Sequence, residues 1–133
     1  MTDSPTTNSP APDSIDKPTI LLAEDEPAIR NLVEFALQRN GYSVLPASNG
    51  EEAVELSRQY PGTIDLLLSD VRMPRMDGMQ AAQAIRRDRP EIRVLLMSGE
   101  PGCGVPTQLD AALIRKPFLP MVLLERVRVL LVA

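Results

Sequence analysis

At 133 residues with 44% hydrophobic side chains, the chain holds enough apolar material for one buried core and too little length for two domains. A net charge of −4 and an aromatic content of 3% argue against nucleic-acid binding, because neither a basic surface nor a base-stacking platform can be assembled. One cysteine, Cys103, excludes an internal disulfide and suits a reducing compartment. No apolar run reaches membrane-spanning length and no signal-peptide pattern opens the chain, so the expectation is a cytoplasmic protein with no membrane contact.

Residues 1–17 are rich in Ser, Thr, Pro and Asp and nearly lack large apolar side chains. Burial there cannot offset the entropy of ordering, which predicts a disordered arm ahead of a domain over 18–133. Thr19-Ile20-Leu21-Leu22-Ala23 is a short apolar run of the kind buried on both faces of a parallel sheet, and it ends in Glu24-Asp25-Glu26. Pro27 opens a helix expected to reach Asn40, with Ile29, Leu32, Val33, Ala36 and Leu37 on one face and Gly41 as C-cap. Tyr42 to Ala47 reads as a second strand, after which Ser48 caps a helix carrying Ala53, Val54 and Leu56; Pro61 and Gly62 end it. Ile64 to Asp70 is a third strand, followed by a proline-glycine turn. Met79, Ala82 and Ile85 then mark the inner face of a helix closed by Pro90. Arg93 to Met97 is a fourth strand ending in Ser98-Gly99. Ala111 to Arg115 is a weaker fifth that runs into Lys116-Pro117-Phe118. A final helix from about Pro120 is expected to bury Val122, Leu123, Leu124, Val127, Leu130 and Leu131. Strands alternating with helices predict an α/β, doubly wound parallel sheet.

Strand ends carry the chemistry. Open α/β sheets bind ligands beyond the carboxyl ends of their strands, where Asp70, Glu24 and Asp25 would emerge. If the first and third strands are neighbours, three carboxylates converge. Two like charges about 4 Å apart repel by roughly 4 kcal/mol at an effective dielectric near 20, so the cluster calls for a proton or a cation. Hard oxygen donors with room for water suit Mg²⁺. Either acidic stretch alone reads equally well as helix-capping and loop carboxylates; the matched pair favours a site. Ser98 and Lys116 add a hydroxyl and an ammonium at two further strand ends. An aspartate nucleophile, a divalent cation, a hydroxyl and a lysine are the parts needed to place a phosphoryl group on a carboxylate.

These residues, in this order, resemble the receiver domain of two-component response regulators. The resemblance rests on Leu22-Ala23-Glu24-Asp25-Glu26-Pro27, Ser69-Asp70-Val71-Arg72-Met73-Pro74-Arg75-Met76-Asp77-Gly78, Leu96-Met97-Ser98-Gly99 and Lys116-Pro117-Phe118, and it covers 18–133. It implies a flavodoxin-like (CheY-like) five-stranded sheet in the order 2-1-3-4-5. It also implies that Asp70 is the phosphoacceptor and that Mg²⁺ is held by Asp25, Asp70 and the backbone carbonyl of Arg72. Glu24 would act mainly through metal-bound water. Ser98 would bond a phosphoryl oxygen and Lys116 would pair with its charge, aimed inward by a cis bond to Pro117. The implied partners are a sensor histidine kinase or a histidine phosphotransfer protein, and a weak homodimer stays open. The Asp70 and Ser98 stretches resemble receivers of hybrid sensor kinases. With no output domain expected after the last helix, a stand-alone receiver could relay phosphoryl groups, compete for them, or regulate a target.

Departures from the family fall between Ser98 and Lys116. Glu100-Pro101-Gly102-Cys103-Gly104-Val105-Pro106 is hostile to helix, which confines a fourth helix to 107–112 and predicts that phosphorylation is reported by ordering of 99–106. Leu113 stands where most receivers carry an aromatic residue. Arg72 and Glu100 are expected to flank the mouth of the site as an ion pair or as two solvated charges. Among rival classes, a haloacid-dehalogenase-type phosphatase expects a second Asp two positions after the first, and Arg72 occupies that place. A flavodoxin-type carrier needs a phosphate loop where Glu24-Asp25-Glu26 would repel phosphate. An unphosphorylated scaffold has no need of a filled acceptor, metal, hydroxyl and lysine set.

Overall fold

The computed structural model describes residues 17–99 and 109–132. Residues 1–16 of the N-terminal arm, Glu100, Cys103 and the 100–106 part of the proposed reporter segment lie outside the described residues. The elements are β1 (Thr19–Ala23), α1 (Pro27–Arg39), β2 (Ser43–Ala47), α2 (Gly50–Gln59), β3 (Leu66–Asp70), α3 (Gly78–Asp88), β4 (Arg93–Ser98), β5 (Ala112–Arg115) and α4 (Pro120–Val132).

Every strand pair is parallel, in the order β2-β1-β3-β4-β5. The apolar runs explain this. β1 and β3 are buried at every position, as a strand covered by helices on both faces must be. Successive side chains alternate between faces. Leu21, Leu67 and Leu96 point to the layer formed by α2 and α3, where they meet Val54, Ala82 and Ile85. Ile20, Leu22, Leu66, Leu68 and Leu95 point the other way, against Val33 and Leu37 of α1 and Leu123 and Val127 of α4. Each fully buried leucine contributes about 1.5–3 kcal/mol, which fixes the strand register that in turn fixes the rim.

Local details depart from the sequence reading at several points. Ser48 does not cap α2; Asn49 does, its Oδ1 accepting from the Glu52 N–H at 2.8 Å. Ser48 instead donates to Glu52 Oε1 through both its N–H and its hydroxyl, each at 2.7 Å. Helix α1 ends at Arg39, one residue early, and Gly41 takes the left-handed φ of 92° beyond the Asn40 cap. On α1, Leu32 is 56% exposed, and on α4 Val122 is 44% exposed. Both lie just outside the buried stripe that Val33, Leu37, Leu123 and Val127 define. The described part of the proposed fourth helix is not helical, since Ala112 already begins β5.

Candidate functional site

Register builds the site. Ala23 of β1 stands opposite Ser69 of β3, so the next residues, Glu24 and Asp70, leave the sheet side by side. Asp70 stands opposite Met97, which sets Ser98 one step beyond; Ser98 stands opposite Arg115, which sets Lys116 beyond that. Four adjacent strands thus present their chemistry along one edge. One carboxylate oxygen from each of Glu24, Asp25 and Asp70 lies within 4.8 Å of the others. Glu24 and Asp70 are buried and Asp25 faces solvent.

Lys116 reaches across this edge. Its Nζ donates to Asp70 Oδ2 at 2.8 Å and to Glu24 Oε1 at 3.1 Å, and its backbone N–H donates to the Ser98 carbonyl at 2.8 Å. The bond from Lys116 to Pro117 is cis, the isomer implied by the family resemblance. The other Asp70 oxygen, Oδ1, accepts a long bond of 3.4 Å from the Arg72 N–H. Burial pushes the Glu24 carboxyl up from its usual range, against the downward pull of the Glu26 N–H and of Lys116. Burial also works to lower the Lys116 ammonium, but bonds and charges from Asp70 and Glu24 outweigh it and hold Lys116 above its ordinary value. A lysine between two carboxylates therefore stays charged.

The loop from β3 to α3 is held close. Gly78 opens α3 directly against the Asp70 backbone carbonyl, where any Cβ would collide with that oxygen. Asp77 and Gln80 form a capping box, with Asp77 Oδ1 accepting from the Gln80 N–H at 2.8 Å and Gln80 Oε1 accepting from the Asp77 N–H at 3.0 Å. Gly50 meets the Met76 carbonyl in the same way, which ties α2 to this loop. Arg75 adopts a left-handed φ of 71° and pairs with Glu51 at 3.0 Å.

The structure brings Glu24, Asp25, Asp70 and Lys116 together as the sequence predicts. Ser98 is buried at the end of β4, and Arg72 is exposed two residues past Asp70. Sequence reasoning missed Arg30, whose Nη1 donates to the Glu24 carbonyl at 2.9 Å. A cation in the first turn of a helix that follows an acidic stretch was the available signal.

A doubly wound sheet with acids, hydroxyl and lysine at its C-terminal edge defines a phosphoacceptor domain. Residues 20–128 match the response regulator receiver domain family, and the chain belongs to it. It is 42% identical over 81 residues, 61% of its length, to the sensor kinase CckA of Brucella abortus, of which it spans only 9%. It is 32% identical over 120 residues to the response regulator receiver protein CpdR of the same organism, covering 86% of this chain and 97% of that one. The structure resembles the response regulator TrrA of Thermotoga maritima, solved with Mg²⁺ and BeF, at a TM-score of 0.76 and 31% identity, covering 86% of this chain and 99% of that one. The protein is therefore a phosphoacceptor signalling domain, and the dehalogenase and scaffold readings are not favoured. Receiver domains bind Mg²⁺ at an acidic pocket of this kind.

Proposed function

We propose that Asp70 accepts a phosphoryl group from a phosphohistidine on a sensor histidine kinase or a histidine phosphotransfer protein, in a Mg²⁺-dependent step. The observation that carries this is the Asp70 carboxylate itself, buried at the sheet edge with Lys116 on one oxygen and the Glu24 and Asp25 oxygens close by. Three carboxylates outnumber the single ammonium, and their clustered oxygens are a donor set that fits a hard divalent cation. Asp25, Asp70 and the Arg72 carbonyl would hold Mg²⁺ directly and Glu24 through water. When bound, the ion offsets negative charge on the phosphoryl oxygens.

An Asp70 carboxylate oxygen attacks phosphorus as the bond to the imidazole nitrogen breaks, and the imidazole leaves with the bonding pair and takes up a proton. Lys116 pairs with the phosphoryl charge, and the Ser98 hydroxyl donates to a phosphoryl oxygen. The domain carries out this transfer and its later hydrolysis without any other substrate chemistry. The signal leaves through protein contacts in the cytoplasm. A groove of about 440 Å³ beside Lys116, lined by Ile29, Leu32, Val33, Pro117 and Phe118, supports an approach by a protein partner. The test is incubation with acetyl phosphate or a phosphorylated kinase and Mg²⁺, followed by intact-mass analysis. One acid-labile phosphate is expected. Its retention in Asp70→Asn would overturn the assignment.

A further inference from the structure

We infer that Arg30 is a positioning residue for the metal-binding loop, acting through the backbone carbonyl of Glu24. This rests on the Mg²⁺ reading above and adds a residue to it.

Glu24 is 1% exposed, so each of its polar groups requires a partner within the protein. Its N–H donates to the Ala47 carbonyl at 3.0 Å, the last bond of the β1–β2 ladder. Its carboxylate accepts from Lys116 Nζ at 3.1 Å through one oxygen and from the Glu26 N–H at 3.1 Å through the other. Its carbonyl has no regular element to use. It lies one residue beyond the last ladder pair of Ala23 with Ala47 and Ser69, and ahead of α1, whose first backbone bond runs from the Arg30 N–H to the Glu26 carbonyl at 2.9 Å. The local bond across this turn, from the Glu26 N–H, goes to the Glu24 carboxylate and leaves the carbonyl unused. Arg30 takes that carbonyl, with Nη1 on it at 2.9 Å.

The same guanidinium helps hold the Glu52 carboxyl below its usual range, after the two Ser48 bonds that dominate. It thus lies within electrostatic reach of α2 as well as of the acidic loop. Two effects oppose each other at the metal. A cation nearby weakens divalent binding by charge alone, while the charge-assisted bond keeps Glu24 and Asp25 converged. Arg30 is half-buried, so water screens part of its charge, whereas its bond satisfies a buried carbonyl. Positioning outweighs repulsion.

The test uses the full chain with Arg30→Met, Arg30→Lys and, as a control on the outer part of α1, Arg39→Met. Hydrogen exchange in EDTA reads the pin without metal. The Glu26 amide should exchange faster in Arg30→Met, while amides of β4 stay unchanged. Calorimetric titration with Mg²⁺ reads the consequence. Arg30→Met should bind about five- to twentyfold more weakly, Arg30→Lys should recover part of that loss, and Arg39→Met should match wild type. Unchanged Glu26 exchange in Arg30→Met overturns the inference, as does Mg²⁺ binding that is unchanged or tighter. Should Arg30→Met fail to fold, Arg30→Lys carries the same test, since a shorter single donor must still give a measurable loss on both readouts. Absence of Mg²⁺ binding in wild type would overturn the metal reading instead, and faster Glu26 exchange in the variants would then still support the pin.

Discussion

At the residue scale, single carboxylates behave differently according to what surrounds them. Glu24 and Glu52 are the same chemical group, yet burial raises one and Ser48 hydrogen bonds lower the other. Glu52 gives a pH prediction whose sign follows from its depressed value. A carboxyl with a lowered folded pKa contributes stability above its ordinary value near 4.5, and that contribution is lost as pH falls through the lower folded value. Glu52→Gln should therefore be less stable than wild type at pH 7, by less than about 1 kcal/mol because the group is largely solvated. The gap between their urea midpoints should narrow as pH falls below that ordinary value and close once the carboxyl is protonated in both the folded and the unfolded chain. A gap that persists there would assign the effect to packing rather than to charge.

At the element scale, Arg89 joins the ends of two helices. Its guanidinium donates to the carbonyls of Ser57, Tyr60 and Gly62 at 2.8 Å each and to the Ser57 hydroxyl at 3.0 Å. These carbonyls are at or beyond the C-terminal turn of α2, where intrahelical donors run out, so one side chain from the end of α3 supplies them. Arg89→Ala should cost about 2–3 kcal/mol of stability, read as a lower denaturant midpoint with little change in the slope. Ser57→Ala removes only one of the four bonds and should cost about 1 kcal/mol. Equal losses would mean that burial of Ser57, and not the Arg89 clamp, carries the joint.

At the scale of the whole molecule, the metal site links the fold to its signalling state. β1 and β3 are the two interior strands between which the strand order of the all-parallel sheet reverses, and the acids leave from their ends. Ligand binding to the folded form alone stabilises it by about 2.7 kcal/mol at a concentration one hundred times the dissociation constant. Mg²⁺ at that excess should raise the melting temperature of wild type by several degrees. The rise should vanish in Asp25→Ala and persist in reduced form in Glu24→Gln, if Asp25 is the direct ligand and Glu24 the outer one. Equal responses in the two variants, measured by thermal denaturation with and without EDTA, would reverse or merge those roles.

The sequence by itself determined the strands, because Ile20 to Ala23 and Leu66 to Leu68 are apolar without interruption, and a doubly covered parallel sheet buries such runs. It also determined which residues stand at the rim, since each apolar run stops at a polar residue. Tertiary structure alone decided three other matters. Ser48 and Asn49 are both competent caps, and the choice between them depends on where Glu52 lies once α2 is docked. Leu32 and Val122 satisfy helical periodicity, yet they fall outside the stripe that the sheet covers, and periodicity carries no information on the width of that contact. Arg30 and Lys116 reach Glu24 from six and ninety-two residues away, through a carbonyl in one case and a carboxylate in the other. A backbone acceptor has no side-chain identity to read, so the bond from Arg30 is visible only after the fold has left that carbonyl buried and without a ladder partner.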